Sequence, residues 1–349
     1  MKWPRATSLG ASALFIGFIA VACGGSSAEE PKVKAAAGNA ISLAFPSIAI
    51  EPGKEDTKCV VMRLHNEKPL HVGSIHNALS GSSHHLIVYR VTDTEEHLTP
   101  FSCAPFTDTL DPTKGSPLMV TQKADDTLTL PPGVGFTLDA NQMVRLEMHY
   151  INPSSSPRDV SATTTFTPIS DDDFKDEAGF LFIGSPDISL PPRKETKLGP
   201  TYFELPDDLD GAKFFAMTGH EHKLGTNVQV AVTNGKSDPG RMVYDVPNWS
   251  WSEPKTEVFS QPITMNKGMG FQFTCSWNNV TDERVRFGES ANAEMCFFWA
   301  YYYPNKGSLV CFHTTYVQKE TGGRDICCPG DVYCGLIADF LGDRSDLGR

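Results

Sequence analysis

Five histidines and a methionine stand in four patches between residues 84 and 295: His84 and His85 in SSHHLIVYR, His149 in LEMHYIN, His220 and His222 in TGHEHKLG, and Met295 in AEMCFFWAYYYP. Imidazole nitrogen suits copper, zinc or iron, and a thioether shifts the preference to copper, above all Cu(I). Three nitrogens in one set and two nitrogens plus a sulfur in another suit two mononuclear copper sites, and therefore redox chemistry.

The elements that must position these side chains read as strands. LIVYRV, TLTL, MVRLEMHYI, SATTTFTPI, FLFIG, VQVAV, MGFQFTCSW and FFWAYYY are short runs rich in β-branched and aromatic residues, separated by Pro, Gly, Asn and Asp. No long helical periodicity interrupts them. The pattern predicts an all-β fold of β-sandwiches, jelly rolls being one form. The residues beyond 40 exceed one average domain and suit two. A proline-rich, charged stretch from Ser185 through Pro191, Pro192, Arg193 and Lys194 to Pro200 divides them. The expected organisation is a domain over 41–187 holding His84, His85 and His149, and a second over 188–320 holding His220, His222 and Met295. A cysteine-bearing tail follows over 321–349.

Each candidate ligand faces a geometric condition. Residues two apart on a strand share a face, so His220 and His222 are expected to reach one metal together. Neighbours on a regular strand point to opposite faces. His84 and His85 therefore share a metal only at a strand start or a local irregularity, which Ser80-Gly81-Ser82-Ser83 permits. His149 sits in an apolar run and, taken alone, reads first as a core histidine bonded to backbone and second as the third ligand. Met295 is expected on a strand whose odd positions, with Phe297, Trp299, Tyr301 and Tyr303, form one face, while Cys296 points behind it.

The N-terminus reads as an export signal over 1–22. Lys2 and Arg5 precede an apolar run from Leu14 to Ala22 that is too short to span a bilayer. Ala20-Val21-Ala22-Cys23 resembles a bacterial lipobox, which makes Cys23 the expected lipidation site and 23–40 a flexible tether. The expected location is the bacterial periplasm or cell surface, with membrane contact only through the lipid. Loss of Lys2 and Arg5 carries the formal charge from −12 to −14, which argues against nucleic acid as a partner. Beyond Cys23 eight cysteines remain: Cys59, Cys103, Cys275, Cys296, Cys311, Cys327, Cys328 and Cys334. An even number in an exported chain implies disulfides. A zinc site from the last four is the alternative, and the adjacent Cys327 and Cys328 are expected to take different partners.

Taken jointly, the patches resemble the copper type II, ascorbate-dependent monooxygenases, which include peptidylglycine α-hydroxylating and dopamine β-monooxygenases. Glu55-Asp56-Thr57-Lys58-Cys59 is similar to that family's DTYxC segment, His84-His85-Leu86-Ile87 to its HHM-type pair, and Glu147-Met148-His149-Tyr150 to its single-histidine strand. His220-Glu221-His222-Lys223-Leu224-Gly225 resembles its HTHxLG, and Glu294-Met295-Cys296 its methionine-cysteine pair. The order is the family's, over roughly residues 45–310.

The resemblance implies two tandem jelly-roll-like domains whose coppers, two per chain, face each other across a solvent cleft. His84, His85 and His149 would hold the electron-supplying copper; His220, His222 and Met295 would hold the copper at which O2 and substrate meet. It implies disulfides Cys59–Cys103 and Cys275–Cys296 and leaves the last four cysteines open. The implied reaction hydroxylates a C–H bond with O2 and a one-electron reductant such as ascorbate, one oxygen entering the product and the other leaving as water. Where the peptide-amidating branch carries a carboxylate-gripping arginine this chain has Thr218, and Phe297 and Trp299 replace that branch's hydrogen-bonding asparagine and tyrosine. Loss of the cationic fork points to a small neutral or aromatic substrate. The alternative is a copper carrier on the same scaffold, without turnover.

Overall fold

Alternation of buried and exposed positions along the strand Arg158–Ile169 marks a sheet with one covered face. The strand Met143–Ile151, by contrast, is buried at every position but the last. The computed structural model describes residues 40–103, 115–288 and 290–335. The signal, most of the tether and Cys23 lie outside them, as does the end of the tail. Almost all the described regular structure is β.

Two sheets form from residues 41–177. One orders Ile41–Ile50, Arg158–Ile169, Leu70–Leu79, Val134–Leu138 and Asp176–Glu177, with Asp125–Thr129 also paired to Leu70–Leu79. The other orders His97–Ser102, Glu55–Arg63, Met143–Ile151, Ser83–Val91 and Gly115–Thr121. The histidines of the first set lie on this second sheet, whose central strand is Met143–Ile151.

The C-terminal half has its own sheets. A six-stranded one orders Glu257–Met265, Ala212–His220, Phe297–Tyr303, Gly179–Gly184, Leu309–Thr314 and Arg324–Cys328. A four-stranded one orders Lys194–Glu204, Gly270–Asn279, Gly225–Thr233 and Arg241–Asp245. The strand Gly179–Gly184 precedes the division read near residue 187 and pairs with Phe297–Tyr303 and Leu309–Thr314. Every residue of it is buried.

One continuous apolar cluster runs from Phe45 to Cys328 through both halves. Polar contacts join the halves as well: Val120 N donates to Tyr301 Oη at 3.2 Å, and Ser116 Oγ lies 2.7 Å from Ser308 Oγ. Four disulfides hold the sheets: Cys59–Cys103, Cys275–Cys296, Cys311–Cys327 and Cys328–Cys334. The last two consume all four of the last cysteines, Cys311, Cys327, Cys328 and Cys334, which overturns the zinc alternative. Cys311 and Cys327 face each other in register on neighbouring strands, so that bond staples the final hairpin.

Candidate metal centre

His85 sits directly opposite His149 in the pairing of Ser83–Val91 with Met143–Ile151. Ser83 pairs with Tyr150, so two steps on one strand match one on the other and His84 is the extra residue. This is a β-bulge at the strand start, the irregularity that lets adjacent side chains turn to one side. One ligand atom from each of His84, His85 and His149 falls within 4.8 Å of the others. All three residues are buried.

The second set lies at strand ends, which corrects two expectations. The strand Ala212–His220 stops at His220, and His222 lies on the turn into Gly225–Thr233. Met295 precedes the strand Phe297–Tyr303 rather than standing on it. The cause is a buried carboxylate between them. Glu294 accepts from His222 N at 2.9 Å, Leu224 N at 2.8 Å and Trp277 Nε1 at 2.9 Å. These bonds take the backbone out of the ladder and pin the turn against the Met295 segment. Burial outweighs these bonds and pushes the Glu294 carboxyl up to about 7. Glu221, between the two histidines, is likewise raised by burial and by Glu294.

The two sets are adjacent. The ring centroids of His84 and His222 are 6.3 Å apart, and those of His220 and His222 5.1 Å. None of the six candidate ligands is more than 7 % exposed. An open solvent cleft between the sets is therefore not what the chain forms. The Gln122 side chain of the first half reaches His220, and the ring of Trp251, from the second half, lies 5.2 Å from that of His84. Burial holds four of the imidazoles neutral: the pKa of His84 falls to about 3, that of His222 to about 4, and those of His85 and His220 well below the usual value. Neutral imidazole is the form that binds a metal.

Hydrogen bonds select the nitrogen left for a ligand. His222 Nδ1–H donates to Ala293 O at 3.1 Å, and His220 Nδ1–H to Gln122 Oε1 at 3.1 Å, which leaves Nε2 on both. His149 Nε2–H donates to Glu55 Oε1 at 3.0 Å and leaves Nδ1. Such outer partners are how metal-binding imidazoles are oriented. Both ring nitrogens of His84 are buried with no hydrogen-bond partner among the described residues. A buried polar nitrogen left that way costs stability, and a metal ion at one of them removes part of the cost. The residues fit copper on this ground and on donor chemistry, three gathered imidazoles in one set and, in the other, a histidine bonded by Ala293 and Glu294, the residues that precede Met295.

Sequence reasoning missed Glu55 and Gln122. Glu55 lies two residues before Thr57, which is opposite His149 in the register. The pairing that brings it there is absent from the local pattern. Thr218 and Trp299 are opposite one another, as are His220 and Phe297, so the suggested substrate residues fall beside His220. Thr218 Oγ1 bonds Thr256 Oγ1 at 2.8 Å, and Phe297 stacks on Phe182 at 4.7 Å. All three are buried.

Residues 176–321 match the family model described as the C-terminal domain of copper type II ascorbate-dependent monooxygenases. The match contains His220, His222 and Met295. Comparison with curated proteins returns no match. Among solved structures, the major capsid protein P2 of bacteriophage PM2 is similar at 10 % identity and a TM-score of 0.31, over 75 % of this chain and 100 % of that one. PNGase F of Flavobacterium meningosepticum is similar at 10 % identity and a TM-score of 0.34, over 78 % and 97 %. Neither likeness carries an argument.

Proposed function

We propose, from the match of residues 176–321 to the C-terminal domain of the copper type II ascorbate-dependent monooxygenases, that this chain is a member of that family and hydroxylates a C–H bond of a small neutral or aromatic substrate with O2 and a one-electron reductant such as ascorbate. His84, His85 and His149 hold one copper, and His220, His222 and Met295 the other. Copper supplies one-electron redox chemistry with O2; the protein supplies orientation and a dry site. The observation that supports the reading is the gathering of five buried imidazoles from both halves, with both ring nitrogens of His84 lacking a hydrogen-bond partner among the described residues.

The side chains divide the work. Glu55, Gln122 and the Ala293 carbonyl each hold one imidazole N–H, so the opposite nitrogen is presented in a fixed direction. Met295 offers a soft donor that favours the reduced metal. Burial excludes water, which protects a reactive oxidant from side reactions. Thr218, Phe297 and Trp299 give the His220 side an uncharged surface with no cation to grip a carboxylate. The chain acts outside the cytoplasm, tethered through a lipid on Cys23, with substrate and O2 as its partners and no nucleic acid.

The test is copper per chain after loading and dialysis, followed by oxygen uptake with ascorbate and a panel of neutral and aromatic compounds. Two coppers are expected, falling towards one when His220 and His222 are both changed to alanine. Oxygen uptake should depend on substrate. Two coppers without substrate-dependent uptake would favour a copper carrier; one or none would break the ligand assignment.

A further inference from the structure

Glu55 is the one side chain among the described residues seen to bond both to a ligand of the first set and to the backbone that leads to the second. Its Oε1 accepts from His149 Nε2 at 3.0 Å and from Ala291 N at 2.8 Å, and Oε2 accepts from Ser290 Oγ at 3.2 Å. Residues 290–295 are no ordinary loop. Ala293 O orients His222, Glu294 fixes the His222 and Leu224 amides, and Met295 is the candidate sulfur ligand. Ala291 and His149 thus share one carboxylate oxygen, although 142 positions separate them in the chain.

We infer that Glu55 is a positioning residue that sets the spacing of the two copper sites, by tying the His149 ring and the segment 290–295 to one carboxylate. The inference rests on the copper reading above for its consequence, but its geometry stands without metal. The carboxylate is suited to the task because its two oxygens take three bonds at once, Oε1 from His149 and Ala291 and Oε2 from Ser290. Its side chain is 20 % exposed, so it is shielded enough for those bonds to matter. Gln122 makes a second bridge of the same kind, from the first half to His220, but touches only one set.

The experiment compares the full chain with Glu55→Gln and Glu55→Ala, with near-UV circular dichroism to establish folding. In the metal-free proteins, amide exchange at Ala291 should speed up about tenfold or more in Glu55→Ala and less in Glu55→Gln, which keeps one acceptor. After copper loading, affinity at the His84, His85 and His149 site should fall roughly ten- to a hundredfold in Glu55→Ala, the range for lost outer partners of metal ligands. The sulfur contribution to copper X-ray absorption should weaken at the same time, since Met295 loses its anchor. A folded Glu55→Ala with unchanged exchange at Ala291 and unchanged copper affinity overturns the inference. So does a loss confined to the first site with the sulfur signal intact. Should Glu55→Ala not fold, Glu55→Gln with Ser290→Ala carries the same two readouts. Wild-type protein that binds no copper defeats the monooxygenase reading instead, and the metal-free exchange result still decides whether Glu55 makes the tie.

Discussion

His84 shows why a buried ring with no hydrogen-bond partner among the described residues is informative. An unsatisfied polar group in the interior costs about 1–3 kcal/mol, and an apolar residue of similar shape removes the cost. His84→Leu should therefore stabilise the metal-free chain by about 1–3 kcal/mol while abolishing uptake of one copper. Urea titration of the metal-free protein beside elemental analysis of the loaded one checks both halves of this expectation. A destabilised variant would make His84 a structural histidine. Met295→Ile keeps the volume and removes the sulfur. It should leave the fold intact, delete the sulfur signal from copper X-ray absorption and weaken Cu(I) binding at that site more than Cu(II). These residues stood out in the sequence as candidate ligands because paired histidines and a methionine beside a cysteine are uncommon patterns. Glu55 and Gln122 did not, because a carboxylate or an amide in a strand has many ordinary roles. Only the register of distant strands brings them to His149 and His220.

Strands explain what the period-two reading got right and where it stopped. All eight runs read as strands coincide with strands, Leu130 and Met269 alone falling one residue outside, because β-branched and aromatic residues fit a pleated, covered surface. The need for an irregularity at His84 and His85 was readable from alternation alone, and the bulge supplies it. The strand ends were not readable. Placing His222 and Met295 on regular strands assumes that the ladder continues, whereas the buried Glu294 carboxylate draws the amides of His222 and Leu224 out of it. Behind Met295, the Cys275–Cys296 bond ties this segment to the strand Gly270–Asn279 across 21 positions. A loop of that size is worth about 3 kcal/mol by chain entropy. Changing both cysteines to serine should lower stability by about that amount and broaden the copper spectrum of the methionine site while sparing the other. Close packing adds a second constraint here: Gly184 faces Phe297 so closely that a Cβ would lie within the ring and against the Cys296 carbonyl. Gly184→Ala should cost about 1–3 kcal/mol, seen as a lower Tm.

At the scale of the whole molecule, four buried histidines, His84, His85, His220 and His222, make the metal-free fold sensitive to acid. In the unfolded chain each imidazole takes up a proton near pH 6.5. Folded, His84 does so only near pH 3 and His222 near pH 4, and His85 and His220 are depressed further than the ordinary range, in each case chiefly by burial. Between those values the unfolded state binds more protons than the folded one, so stability rises with pH across the window. It is fully present above about pH 6.5 and drains away as pH falls towards 4 and 3. His313, in the final hairpin, has the opposite sign. Its bond to Asp325 raises its pKa, so its contribution is present below about pH 6.5 and is lost as pH climbs through the raised value. The two effects separate by place. Acid should loosen the centre where the halves meet, and mild alkali should loosen the hairpin of Leu309–Thr314 and Arg324–Cys328. Urea midpoints of the metal-free chain should therefore fall steeply from pH 6.5 to 4, and His84→Leu should flatten that slope because it removes one proton acceptor. Copper competes with protons for the same nitrogens, so loaded protein should hold its midpoint to lower pH and then lose metal and fold together. A metal-free midpoint that is level across this window would mean that the histidines are solvated and the halves stand apart.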